Sequence, residues 1–211
     1  MGTAASVPPG PLRCALLGLL NRRPLTGYEI LKRFNRSIVF FWHAKRSQIY
    51  AELKRMEGLG LVTSRVTPQT GRPDKRAYAI TQAGLAVLRG WLDRPAAVGP
   101  IKDEILLRTF FSDRLSSARA AADLRRQARE HQRVVEEFEG IRAALRARYG
   151  PLESSDDRAL FFGYLVLEQG IRFERMYGEW CEWAAAAVQA RRSQASRPAV
   201  DPVAADFIMT S

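Results

Sequence analysis

A mainly α fold in two parts is what the sequence predicts, and three observations carry it. Apolar residues recur at helical spacing along most of the chain, with only two short strand-like stretches. A Pro-Ala-Ala-Val-Gly-Pro break at 95–100 separates two regions of different composition. The charge is also split: residues 12–94 hold 16 basic and 5 acidic side chains, whereas the remainder holds 17 of each. The net charge of +11 therefore sits in one half.

The first eleven residues, with Pro8, Pro9, Gly10 and Pro11, lack apolar periodicity and read as a flexible leader. A helix is expected over 12–21, with Leu16, Leu19 and Leu20 on one side, and Pro24 bars its continuation. Thr26 and Glu29 have capping-box spacing, so a second helix opens there and carries Ile30, Leu31 and Phe34. The apolar stretch Ile38-Val39-Phe40-Phe41-Trp42 leads to a third helix over 45–58. Its Ile49, Leu53 and Met56 form one apolar stripe. At 100° per residue, Ser47, Ala51, Lys54 and Gly58 centre the opposite side, flanked by Gln48, Tyr50 and Arg55. Strands over 61–67 and 75–81 follow, joined by the turn-rich loop Pro68 to Asp74. Thr81 then caps a fourth helix bearing Leu85, Leu88 and Leu92. Three helices, a basic hairpin and a helix make the pattern of a winged helix-turn-helix over 12–94, with a two-stranded β wing.

After a hinge at 95–102, a helix over 103–112 is rich in apolar residues, and a long helix runs from 116 to 149. Leu124, Ala128, His131, Val135 and Phe138 alternate steps of four and three along it, a heptad-like stripe, although Arg142 occupies a later seam position. Gly150-Pro151 ends it, and the Ser-Ser-Asp-Asp run at 154–157 caps a last helix to about 191 with Leu160, Tyr164, Leu167, Ile171, Tyr177 and Trp180. These helices bury more apolar surface together than a lone winged helix can cover, so a C-terminal helical dimerisation domain is expected over 103–191. Leu124, His131, Val135, Phe138, Leu167, Ile171 and Trp180 are its expected interface. Residues 192–211 read as a disordered tail.

At 211 residues, 46% hydrophobic and 26% charged, the composition is that of a globular protein, without a run long enough to span a bilayer. Two distant cysteines, Cys14 and Cys181, give no disulfide framework, and the chain reads as cytoplasmic. His43 and His131 lie in no metal-ligand spacing, and no phosphate-cradling Gly loop or nucleophile elbow occurs. No catalytic residues, cofactor or metal are expected. The aromatic set in the last helix reads as core or interface before ligand cage, with an apolar effector pocket between protomers as the functional alternative.

The third helix is where chemistry concentrates. An ordinary solvated helix face would explain its periodicity, but three features add to that. The face is small at its centre, which lets its backbone approach a groove floor. Arg46, Lys54 and Arg55 reach phosphates or base edges, and Ser47, Gln48 and Tyr50 add polar groups. A basic hairpin with Arg72, Lys75 and Arg76 follows at wing distance, and an arginine held between Gly71 and Pro73 suits a minor groove. Double-stranded DNA is the expected partner.

These residues resemble the PadR family of bacterial transcriptional regulators. Leu16 to Leu20 with Leu25-Thr26-Gly27-Tyr28-Glu29-Ile30 is similar to the family's first two helices. Ser47 to Glu57, closing in Gly60-Leu61-Val62, resembles its recognition helix and wing entry. Arg72-Pro73 through Thr81, with Gly84, resembles the returning strand and next helix. The stretch Tyr164 to Trp180 is similar to the virulence-activator-like C-terminal helices of longer members. The resemblance implies a homodimeric DNA-binding repressor released by a small molecule, and the aromatic set in the last helix would suit a small apolar or aromatic effector. It puts Ser47, Gln48, Tyr50 and Lys54 on DNA from the recognition helix, and Arg72 and Lys75 from the wing. The entry His43-Ala44-Lys45-Arg46 departs from the Ser cap that members often carry. The competing readings are a winged-helix interaction module that holds an acidic protein and a small-molecule sensor that acts without DNA.

Overall fold

The computed structural model describes residues 9–68, 71, 75–96, 99 and 102–193. The leader before residue 9, Arg72 and its loop neighbours, part of the hinge and the tail from 194 lie outside the described residues. The chain folds as two compact units, Met1–Pro100 and Ile101–Ser211.

In the first unit, α1 (Pro11–Leu20) begins at a proline in its first turn, where the missing amide costs nothing, so the helix starts on the last residue of the expected leader. Leu25–Thr26 forms a two-residue strand, β1, that sequence periodicity is too short to show. Thr26 then caps α2 (Gly27–Ser37). Its hydroxyl accepts from the Glu29 amide at 3.2 Å, and the Glu29 carboxylate accepts from the Thr26 amide at 2.8 Å. The Thr26 amide and the Thr26 hydroxyl, which both donate to the Glu29 carboxylate, hold that carboxyl at about 2, well below its ordinary value, and Arg23 adds to the effect.

Helix α3 (Arg46–Gly58) lacks an oxygen-bearing cap at Lys45, and half a capping box serves instead: the Gln48 side chain accepts from the Lys45 amide at 2.7 Å. Gly60, at φ 67°, turns the chain out of the helix into β2 (Val62–Thr67), which pairs with β3 (Lys75–Ile80). The sheet is antiparallel in the order β1-β3-β2, with Leu25 opposite Tyr78 and Ser64 opposite Tyr78 on the other side. Helix α4 (Gln82–Leu92) is capped by Thr81 and packs so closely that a β-carbon on Gly84 would lie 2.1 Å from the Leu61 carbonyl oxygen. Leu16, Leu17, Ile30, Phe34, Ile49, Leu53 and Met56 form the fully buried centre of this unit.

In the second unit, Asp103 caps α5 (Glu104–Phe110), which ends earlier than expected in a 3₁₀ turn, Ser112–Arg114. Helices α6 (Ser117–Tyr149) and α7 (Arg158–Ser193) form an antiparallel hairpin whose turn contains Gly150 at φ 77°. Leu124 packs with Ala184 and Ala185, Ala128 with Tyr177 and Cys181, and Phe138 against Gly170. Arg142, anomalous on an apolar seam, donates to Glu168 at 2.8 Å and to Glu139 at 3.3 Å, so its charge is answered across the hairpin. Among the described residues, no helix is long and apolar enough to cross a membrane.

Candidate nucleic-acid interface

The two sides of α3 differ sharply. Ile49, Leu53 and Met56 are fully buried, while Ser47, Ala51, Lys54 and Gly58 are exposed on the opposite side. Arg46, Gln48 and Arg55 are exposed as well. Arg13 on α1 holds Glu52 at 2.6 Å, which fixes the helix from the back and takes one acidic charge out of play. The remaining open face carries small residues with cations at its flanks, the surface that a groove lined by phosphates accepts.

Three of the expected contacts prove to have further duties. The Gln48 carbonyl is engaged at the helix start, which leaves its amide group to donate outward. Tyr50 is half-buried, its ring edge against Gly27 at the start of α2, and the Arg46 guanidinium stands 5.6 Å from the ring centre. Arg76 lies 3.8 Å from Glu57 and over the Tyr78 ring, so it turns toward α3.

Strand alternation separates the wing's cations. Ser64, Val66, Arg76 and Tyr78 share one side of the hairpin, whereas Arg65, Thr67, Lys75 and Ala77 share the other. Lys75 and Arg76, adjacent in sequence, thus point to opposite sides. Arg65 is exposed beside Lys75 on the outer side and was not among the expected contacts. Its signal was present, since a strand residue two positions from the wing tip alternates outward when Val62 is buried. Arg72 falls outside the described residues.

The heptad-like residues of the second unit are used within one chain. Leu124, Val135, Phe138 and Ile171 are buried there, and His131, Leu167 and Trp180 are half-buried. His131 Nδ1 lies 2.5 Å from Glu174 and its ring stacks on Tyr177, whose hydroxyl donates to Asp103. Burial raises the Asp103 carboxyl, but hydrogen bonds from Tyr177 and from the Leu106 and Ile105 amides bring it below its ordinary value overall. Burial pushes the Tyr177 hydroxyl up strongly and the Cys181 thiol to about 11, so both stay protonated. A second stripe remains open on α7: Phe162, Val166, Phe173, Met176 and Trp183 are all exposed. Among the described residues no group of His, Cys, Asp and Glu is arranged to hold a metal.

Comparison with known proteins places these elements. Residues 16–90 match the family described as the PadR-like transcriptional regulators, and residues 101–189 match the virulence activator alpha C-terminal family. The chain is 35% identical to the negative transcriptional regulator PadR of Bacillus subtilis over 81% of its own length and 93% of that protein. It is 34% identical to a probable transcriptional regulator of Mycobacterium tuberculosis, over 84% of its length and 97% of the relative. The crystal structure of Bacillus subtilis PadR with operator DNA superposes with a TM-score of 0.75 at 32% identity, covering 84% of this chain and 98% of that one. The same protein has been solved with p-coumaric acid, at a TM-score of 0.70 and 31% identity over 84% of this chain and 98% of that one. The Vibrio cholerae virulence activator AphA superposes at 0.67 with 28% identity, over 85% of this chain and 99% of its own.

Proposed function

Because this chain belongs to the PadR-like family of transcriptional regulators, we propose that it represses a promoter by laying α3 in the major groove of an operator. The observation that carries the reading is the division of α3 into a fully buried Ile49-Leu53-Met56 side and an open side of Ser47, Ala51 and Lys54. Arg46, Lys54 and Arg55 supply phosphate or base contacts, and Ser47 and Gln48 supply neutral donors and acceptors. Lys75, with Arg65 beside it and Arg72 on the wing loop, serves the adjoining minor groove.

Two chains joined along the open α7 stripe present two such helices to successive major grooves, about 34 Å apart, and read a palindrome. Bound there, the dimer occludes the promoter. The operator-bound and p-coumaric acid-bound structures of the Bacillus subtilis relative support release by a small aromatic effector. In this chain a groove of about 630 Å³ between α5 and α6, lined by apolar side chains such as Ile105, Phe111 and Leu124 and by charged ones such as Arg108 and Asp123, has the size for such a molecule. Its relatives are regulators and not enzymes, and regulation without catalysis in the cytoplasm is the reading that fits.

Selection from random duplexes, with footprinting of the winners over a salt series, tests this. A two-half-site palindrome whose affinity falls steeply with salt is expected. Enrichment of no sequence, together with capture of an acidic protein, would favour an interaction module.

A further inference from the structure

We propose that Glu57 is a positioning residue that clamps the wing to the recognition helix and so sets the distance between the two groove contacts. Glu57 stands in the last turn of α3, where the helix dipole disfavours a carboxylate. Its cost there is offset by two partners on the hairpin. The Ser64 hydroxyl on β2 donates to Glu57 Oε1 at 2.5 Å, and Arg76 on β3 lies 3.8 Å from Oε2. One carboxylate therefore holds both strands of the wing.

The grip falls where the hairpin most needs it. Among the described residues, β1 pairs with β3 only at Ala77 and Tyr78, so the outer pairs, Val66 with Arg76 and Thr67 with Lys75, have no third strand beside them there. A two-stranded ribbon is marginally stable alone, and its twist and pitch vary easily. Arg76 is one residue from Lys75, the first residue of β3, whose pair with Thr67 closes the described ribbon, so the clamp acts near the loop end of the hairpin. Arg76 consequently serves the protein's own geometry, and Lys75 on the opposite side carries the outward charge. The clamp faces water on one side: Arg76 is half exposed and Glu57 less so. Its role is to fix an orientation, since an exposed pair of this kind adds little to stability.

This rests on the operator reading above, and the test separates the two. Hydroxyl-radical footprints of the full-length dimer on its selected operator are compared for wild type, Glu57→Ala, Glu57→Gln and Arg76→Ala. For Glu57→Ala, protection at the recognition-helix positions should persist while the flanking minor-groove protection weakens. Its preference for operator over random duplex should fall about tenfold. Glu57→Gln, which still accepts from Ser64, should recover part of the flanking protection, and Arg76→Ala should resemble Glu57→Ala. Flanking protection unchanged in Glu57→Ala, with wild type showing both footprints, would overturn the clamp. A wild type that protects no duplex would instead overturn the operator reading. Thermal melts of each variant confirm folding, and an unfolded Glu57→Ala leaves the Gln and Arg76 variants to decide on the same footprints.

Discussion

Tyr50 lies across Gly27 so closely that a β-carbon at position 27 would come within 2.6 Å of Tyr50 Cε1 and 3.1 Å of its hydroxyl oxygen. The start of α2 and the middle of α3 are thereby spaced by one ring, and Arg46 rests on the same ring. Gly27 is needed for this approach, and Tyr50 orients the Arg46 cation on the face proposed to meet DNA.

Gly27→Ala should therefore displace a side chain and leave the backbone in place. Stability should change by about 1 kcal/mol or less, since Ala's helix preference offsets the strain. Operator affinity should fall about tenfold as Tyr50 and Arg46 move. Wild-type affinity in a titration would show that the ring does not set the contact. Adding Tyr50→Ala should remove any instability that Gly27→Ala brings.

Gly84→Ala meets a different obstacle. The added carbon would press on the Leu61 carbonyl, which cannot rotate away as a side chain can. A loss of about 2–3 kcal/mol is expected, read as a lower urea midpoint at unchanged slope. A midpoint equal to wild type would mean that α4 shifts freely away from Leu61.

Lys54→Ala removes a cation from the centre of the open face while its neighbours Leu53 and Met56 stay buried. If Lys54 meets a phosphate, affinity should drop and the slope of log affinity against log salt should flatten by about one. If it meets a base, the slope should hold and discrimination at one position should relax. Affinity and slope both unchanged would remove Lys54 from the interface.

Acid should weaken the first unit through Glu29. Its carboxyl titrates at about 2 in the folded chain against an ordinary 4.5, so the unfolded chain binds the proton more readily. The stabilisation is complete above the ordinary value and is lost as pH falls from about 4.5 toward 2. With the side chain 35% exposed, solvent screening limits the effect to about 1 kcal/mol. Glu29→Gln should lack that part of the pH dependence in chemical denaturation at pH 7 and pH 3. An identical pH profile for both proteins would contradict it.

Local chemistry made some of this legible in the sequence. The Thr26–Glu29 box, the Thr81 cap and the Ile49-Leu53-Met56 stripe depend on spacings within one element, and each stands where those spacings put it. Long-range pairing was not legible. Leu25 joins β3 through two residues only, too few for a period, and Glu57 meets partners on two strands that the sequence separates by loops. The heptad-like run on α6 raised a different difficulty. Such a stripe states that another helix packs against it, but not which chain supplies that helix. Here α7 of the same chain covers Leu124 and Phe138, which leaves Phe162, Phe173 and Trp183 among the apolar side chains turned outward. Arg142 looked like a flaw in the stripe because its acceptors, Glu139 and Glu168, come from both helices of the hairpin.

Where α3 sits on a duplex decides the operator reading most directly. Methylation of guanine N7 marks the floor of the major groove, so interference at those atoms reads the helix's position without reference to the wing. The expected pattern is two clusters of blocked guanines whose centres lie about 10 base pairs apart, one cluster weakening when Lys54 or Gln48 is replaced in half of a heterodimer. Binding that tolerates N7 methylation everywhere, and loses nothing when those side chains are removed, would contradict it.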